Sequence, residues 1–278
     1  MMISSRNKIY LVSRVPGILL IKLLNRKRKG TNMDIIRSKT NNLVKQVKKL
    51  QQKKYRTSSY LIEGWHLLEE AMEAGANIEH IFVVEEYFEK VAGLANVTVV
   101  SPEIMQDLAD SKTPQGVVAQ LALPSQLLPE TLDGKFLVLE DVQDPGNVGT
   151  MIRTADAAGF DGVFLSDKSA DIYNMKVLRS MQGSHFHLPV YRMPISSILT
   201  ALKSNQIQIL ATTLSSQSVD YKEITSNPSF ALVMGNEGQG ISDLVADEAD
   251  QLVHITMPGQ AESLNVAIAA GILLFSFI

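Results

Sequence analysis

The chain has 278 residues, 45% of them hydrophobic, and a formal charge of −3, which is enough apolar material for two ordinary domains with their own cores. It contains no cysteine, so disulfides, thiolate nucleophiles and cysteine metal sites are excluded; its five histidines, His66, His80, His185, His187 and His254, have no recognisable ligand spacing, so no metal is expected. Residues 1–32 hold eight Lys and Arg and no acid, which leaves 18 basic against 29 acidic groups in residues 33–278, a net of −11, so an anionic partner has to be met locally.

The basic extension, residues 1–32, carries an apolar run over 15–21. This is far shorter than the roughly 20 residues that span a membrane, it is bracketed by Arg14 and Lys22, and no small-residue cleavage site follows, so no membrane partner is expected. Arg28-Lys29-Gly30 is compatible with a purine-rich ribosome-binding sequence ahead of Met33. The expectation is that translation begins at Met33 and that residues 1–32 are disordered or not native.

Residues 33–122 read as a small α/β domain. The spacing predicts a helix over 41–52 with Leu43, Val47 and Leu50 on one face. Lys45, Lys48 and Lys49 lie off that face, Lys53, Lys54 and Arg56 follow, and no acid occurs between Thr40 and Ile62. A solvated helix face explains many such runs, but on an otherwise acidic chain a contact to phosphates explains this one equally well. Strands are expected over 58–62, 80–84, 97–100 and 116–121, and helices over 65–74 (with Leu67, Leu68 and Met72 on one side), 85–94 and 102–109. Residues 123–131, with Pro124 and Pro129 and no periodicity, read as a linker.

Residues 132–278 alternate again. Strands are expected over 135–140, 162–165, 187–190, 208–211, 231–234 and 251–255, and helices over 147–158, 173–181, 196–203, 242–246 and 265–275. His185 and His187 would then face one way along a strand. Near-continuous apolar strands such as Phe136-Leu137-Val138-Leu139 indicate a parallel sheet covered on both faces.

Three strands run into polar, glycine-bearing loops: Asp141 to Gly149, Gly235 to Ser242, and Thr256 to Asn265. In open α/β sheets ligands sit at strand C-terminal ends, so the three loops point to one shared site. An isolated Ser263-Leu264-Asn265 would read as a plain helix cap. No Walker loop is present, and Gly235-Asn236-Glu237-Gly238-Gln239-Gly240 has the wrong glycine order for a dinucleotide fingerprint and carries Glu237 where a pyrophosphate would sit. A nicotinamide enzyme is therefore disfavoured.

The second domain resembles the SpoU, or TrmH-like, branch of the SPOUT RNA 2′-O-ribose methyltransferases. The resemblance rests on the segment Asp144-Pro145-Gly146-Asn147-Val148-Gly149 through Arg153 to Gly159, on Met234 to Gly240, and on Ser263-Leu264-Asn265-Val266, in the family's order and spacing. Residues 33–121 are similar to the family's RNA-recognition domain, with Ile62-Glu63-Gly64 and Lys112-Thr113-Pro114-Gln115-Gly116 as landmarks. It implies an α/β architecture whose C-terminal SPOUT methyltransferase domain has a mainly parallel sheet and a trefoil knot, a feature that connection rules alone argue against. It also implies a homodimer, S-adenosylmethionine as cofactor, a structured RNA as partner and a cytoplasmic enzyme.

By position, Gly235, Ile255 and Leu264 match the family's cofactor contacts, and Asn147, Arg153, Glu237, Ser263 and Asn265 its catalytic set. Ordinary core packing also accounts for Ile255, and an ion pair with Asp156 for Arg153. The reaction implied is in-line attack of a ribose 2′-hydroxyl on a sulfonium methyl, which requires alignment and disposal of one proton. A guanidinium stays charged in proteins, so Arg153 is read as a clamp on the target phosphate or a polariser of the 2′-oxygen. The basic residues Lys45, Lys48, Lys49, Lys53, Lys54 and Arg56 are read as the RNA contact. Ribosomal RNA of the 23S type is the expected substrate, with transfer RNA, or a catalytically silent RNA-binding relative, as alternatives.

Overall fold

The computed structural model describes residues 34–125 and 127–278. Residues 1–32, expected to be disordered or not native, lie outside the described residues except for the backbone of three antiparallel strands, β1 (Ile3–Ser5), β2 (Lys8–Val15) and β3 (Ile18–Leu23).

The first domain begins with α1 (Asn42–Lys49), capped by Asn41, whose Oδ1 accepts from the N–H of Leu43 at 2.9 Å and of Val44 at 3.4 Å. Val44 and Val47 are its buried residues, and Leu43 and Leu50 pack partly buried against the same core, so the expected face is widened by Val44. The helix stops short of residue 52 because the chain turns at Leu50 into a 3-10 turn, Lys53–Tyr55. Then come β4 (Ser59–Glu63), α2 (Trp65–Glu73), β5 (Ile78–Val84), β6 (Val97–Val100), α3 (Pro102–Leu108) and β7 (Val117–Ala122). The sheet order is β4-β7-β5-β6, with β7 antiparallel to both neighbours and β6 parallel to β5. Two expectations change. Residues 85–90 form a 3-10 helix, with no regular helix over 85–94, and Met72 is exposed while Ala71 takes its place against the sheet.

The second domain contains β8 (Lys135–Leu139), α4 (Pro145–Ala157), β9 (Gly162–Leu165), α5 (Met175–Met181), β10 (Val190–Arg192), α6 (Ile195–Ser204), β11 (Gln208–Thr212), β12 (Val219–Asp220), β13 (Phe230–Met234), α7 (Asp243–Glu248), β14 (Gln251–His254) and α8 (Val266–Ser276). Its seven strands are all parallel, in the order β10-β9-β8-β13-β11-β14-β12. Every residue of the central strand β13 is buried, as a parallel sheet covered on both faces requires; fully burying one such Phe, Leu or Val contributes about 1.5–3 kcal/mol. Helices α4 and α5 touch through Gly149, where a Cβ would lie 2.4 Å from Cβ of Ser180 and 2.7 Å from the carbonyl oxygen of Val177. No helix among the described residues is long and apolar enough to cross a membrane.

Residues 187–190 do not form the expected strand. A 3-10 turn over Ser184–Phe186 precedes β10, and the two histidines go to the domain junction instead. His185 Nε2 lies 3.2 Å from the Tyr60 hydroxyl, while His187 lies 3.0 Å from Glu70 and 3.4 Å from Asp156. Arg179 of α5 reaches Asp110 at 2.7 Å and Glu63 at 3.6 Å. Arg56 pairs with Asp171 and donates to the carbonyl of Leu50 at 2.7 Å.

Candidate active site

The C-terminal ends of β13, β11 and β14, adjacent in the sheet, open into a cavity of about 450 Å³. Its floor and walls include Met234, Val253, Ile255, Leu264 and Leu273, and one side is the loop Gly235 to Gly240. An apolar cleft of this size with a polar backbone rim suits a small organic ligand.

The loop after β13 is shaped by Asn236. Its Oδ1 accepts from the N–H groups of Gly238 (2.9 Å) and Gln239 (3.0 Å), its Nδ2 donates to the carbonyl of Asp141 at 2.8 Å, and its backbone pairs in both directions with Gly240. That pairing explains Gly235: a Cβ there would sit 2.3 Å from the carbonyl carbon of Gly240. The missing side chain is therefore demanded by the loop's own closure, in addition to leaving backbone open to a ligand.

The loop after β8 ends at Asp144, which caps α4 by accepting from the N–H of Asn147 at 2.9 Å, with Pro145 opening the helix. Glu237 joins the two loops: its carboxylate accepts from the N–H of Asp144 at 3.0 Å, the N–H of Gln143 at 3.2 Å and Nδ2 of Asn147 at 3.1 Å. Burial alone would raise this carboxyl, but the N–H of Asp144, then the Asn147 amide and the remaining backbone donors, outweigh it and hold the group below the usual carboxylate range.

The third loop enters the same network. Asn265, and not Ser263, caps α8; its Oδ1 accepts from the N–H of Ala267 (2.9 Å) and Ile268 (3.3 Å), while its Nδ2 donates to Oδ1 of Asn147 at 3.1 Å. An unbroken chain, Asn265 to Asn147 to Glu237, thus ties the ends of β8, β13 and β14.

Gly235, Glu237, Ile255, Ser263 and Leu264 line the cavity, whereas Asn147 and Asn265 stand behind Glu237. Arg153 does not line it. It is exposed on the face of α4 that also carries Thr150 and Thr154, and the ion pair considered with Asp156 does not form, since Asp156 is beside His187. Sequence reasoning missed Thr212, Thr213 and Leu214 at the end of β11, and Met257. The loop after β11 carries no glycine or charge to mark it, and its only signal is its place at a strand end.

The profile of the SpoU rRNA Methylase family matches residues 134–275, and that of the MRM3-like substrate binding domain matches residues 41–119. The chain belongs to the SpoU rRNA methylase family. Among SpoU-family relatives, a 23S rRNA (guanosine(2553)-2′-O)-methyltransferase, RlmP of Bacillus subtilis, is 42% identical over 87% of this chain and 98% of its own length. An AdoMet-bound rRNA methyltransferase from Sinorhizobium meliloti superposes with a TM-score of 0.80 at 33% identity, covering 87% of this chain and 96% of that one. The SpoU methyltransferase AviRb from Streptomyces viridochromogenes, in complex with AdoMet, gives 0.77 at 26% identity, over 84% and 96%.

Of the basic residues expected at RNA, Lys45, Lys49, Lys53 and Lys54 are exposed and enter no ion pair among the described residues. Lys48 is 3.4 Å from Asp107. Arg56 departs most from the expectation: its side chain is 5% exposed and committed to Asp171 and Leu50, so it is a junction residue within this SpoU-family chain.

Proposed function

We propose that the protein transfers a methyl group from S-adenosylmethionine to a ribose 2′-hydroxyl of 23S ribosomal RNA in the bacterial cytoplasm. It is an S-adenosylmethionine-dependent RNA 2′-O-methyltransferase. The observation that carries this reading is the hydrogen-bonded chain Asn265–Asn147–Glu237, which draws three strand-end loops together at one cavity.

The cavity fits the cofactor: Ile255 and Leu264 offer apolar surface to an adenine, and the backbone of residues 235–240 offers groups to bond its edges. S-adenosylmethionine, when bound there, supplies the activated methyl. The protein's contribution is alignment. Glu237, its oxygens already accepting three N–H bonds, keeps the loops in register and is not the proton acceptor. The Ser263 hydroxyl, at the cavity wall with no hydrogen bond among the described residues, is available to the ribose.

Arg153 is proposed to clamp the target phosphate or polarise the 2′-oxygen across a homodimer. Two features support a dimer. The helix α8 exposes Ile268 (58%) and Phe275 (51%), seven residues apart on one face, a stripe that a second copy would cover. Thr154, next to Arg153, lies opposite Gly271 of the same helix. The strand order, with β13 inserted between β8 and β11 and α8 packed on α4, is consistent with the trefoil knot implied by the family.

The test is to map 2′-O-methyl marks on total RNA from cells with and without the gene, and to restore the missing mark in vitro with purified protein and S-adenosylmethionine. A single 23S site is expected. A mark that vanishes from transfer RNA instead moves the substrate, and binding of NAD without S-adenosylmethionine overturns the assignment.

A further inference from the structure

Exposed large apolar side chains among the described residues include two aromatic rings, Phe275 in the α8 stripe and Tyr55. Tyr55, 41% exposed, closes the 3-10 turn after α1, and its neighbours are cations: Lys54 Nζ is 4.9 Å and Lys49 Nζ 5.7 Å from the ring centroid. Neither lysine enters an ion pair among the described residues, since the nearby carboxylate of Asp107 is shared by Lys39 and Lys48. The turn is held from behind by Arg56, which bonds the Leu50 carbonyl on one side and Asp171 of the second domain on the other. The ring is therefore presented in a fixed position, and little order is lost when a partner docks.

A second lysine–aromatic group is built differently. Lys90 lies 4.5 Å from Trp65 and 5.2 Å from Tyr87. However, those rings are half-buried, Trp65 Nε1 donates to the Gln115 carbonyl at 3.0 Å, and Tyr87 fills the space a Cβ of Gly116 would need. That group packs the landmark loop over 112–116, whereas Tyr55 packs nothing comparable.

We propose that Tyr55 is a stacking platform for one unpaired base of the RNA substrate, with Lys49 and Lys54 moving from its ring to the phosphates on either side; this rests on the RNA methyltransferase reading above. An aromatic face with two flanking ammonium groups is how single-stranded RNA is gripped without base-edge readout. A base inside a duplex already has both faces covered, so only a loop or bulge can use the platform.

The full chain is tested against a mixed-sequence 12-nucleotide RNA, single-stranded or annealed to its complement, and for methyl transfer to 23S rRNA. Tyr55→Ala and Tyr55→Leu are expected to weaken binding of the single strand about tenfold, a typical stacking loss. Duplex affinity and S-adenosylmethionine affinity stay constant, the loss on 23S rRNA falls on KM, and Tyr55→Phe behaves as wild type. Lys49→Ala with Lys54→Ala weakens both RNAs and lowers the salt dependence. Wild-type single-strand affinity and KM in Tyr55→Ala, or full rescue by Leu, would overturn the platform, as would affinity for an acidic peptide equal to that for RNA. A wild-type protein that methylates no RNA overturns the enzymatic reading instead, and the single-strand arm still decides on Tyr55.

Discussion

Replacing Glu237 by Gln tests whether one charge holds the loops after β8 and β13 together. The shape is kept, but one of two accepting oxygens becomes an NH2 group facing donors: Oε1 accepts from Asp144 and Asn147, and Oε2 from Gln143. An amide there retains at most two of the three bonds, and these become neutral. Hydrogen bonds to a charged acceptor contribute about 1.5–3 kcal/mol and neutral ones about 0.5–1.5. Each change therefore costs about 1 kcal/mol, and water at this half-exposed site offsets part of the sum. We expect a net loss of about 1–2 kcal/mol, equivalent to a 5- to 30-fold drop in the ratio of aligned to misaligned loops. Single-turnover methyl transfer at neutral pH should fall by that factor, with S-adenosylmethionine affinity, followed by calorimetry, falling less because the cavity's apolar walls are untouched. The pH dependence has a defined sign. A carboxyl held below its ordinary value stabilises the fold fully above the unfolded pKa, and that contribution is lost as the pH falls through the folded one. The Gln variant should lack this acid-side loss. Turnover within twofold of wild type would refute the claim that the Glu237 network aligns the site.

Gly235→Ala should place a methyl 2.3 Å from the Gly240 carbonyl carbon and force the loop open; a cost of about 1–3 kcal/mol and loss of cofactor binding are expected in thermal melts and calorimetry. Arg56→Ala should destabilise the domain junction without changing the salt slope of RNA binding, whereas Lys53→Ala should reduce that slope by about one and leave the melting temperature alone. Ile268→Glu should give a monomer by light scattering and abolish turnover, and a fully active monomer would remove the dimer from the mechanism. His185 is held down to about 3 by burial first and by His187 second. The unfolded chain, titrating near 6.5, binds the extra proton between these values, so stability is full above 6.5 and declines below it. Unfolding free energies from denaturant titrations at pH 6.5 and 5 should differ by about 2 kcal/mol, and His185→Phe should flatten the difference.

The three loops at the site were legible because each carries a glycine, an amide or a charge at the end of an apolar strand, and such residues are uncommon there unless the backbone or a ligand requires them. Most strands were legible too, since short apolar runs bounded by polar residues, such as Ile81-Phe82-Val83-Val84 and Phe136-Leu137-Val138-Leu139, leave few alternatives. Sequence alone could not place His185 and His187, whose alternation imitates a strand; the interface with Tyr60 and Glu70 decides their conformation, and those partners lie more than 100 residues away. Arg56 is the same case in charge: its neighbours in sequence are exposed lysines, but Asp171 takes it. Local pattern thus determined which segments are strands, helices and polar loops, because periodicity and capping act over a few residues. Which side chains meet was decided only by the tertiary fold, because a hydrogen bond or ion pair depends on a few ångströms between segments that the sequence keeps far apart. The link from Asn265 to Asn147, 118 residues away, is where that decision creates the site.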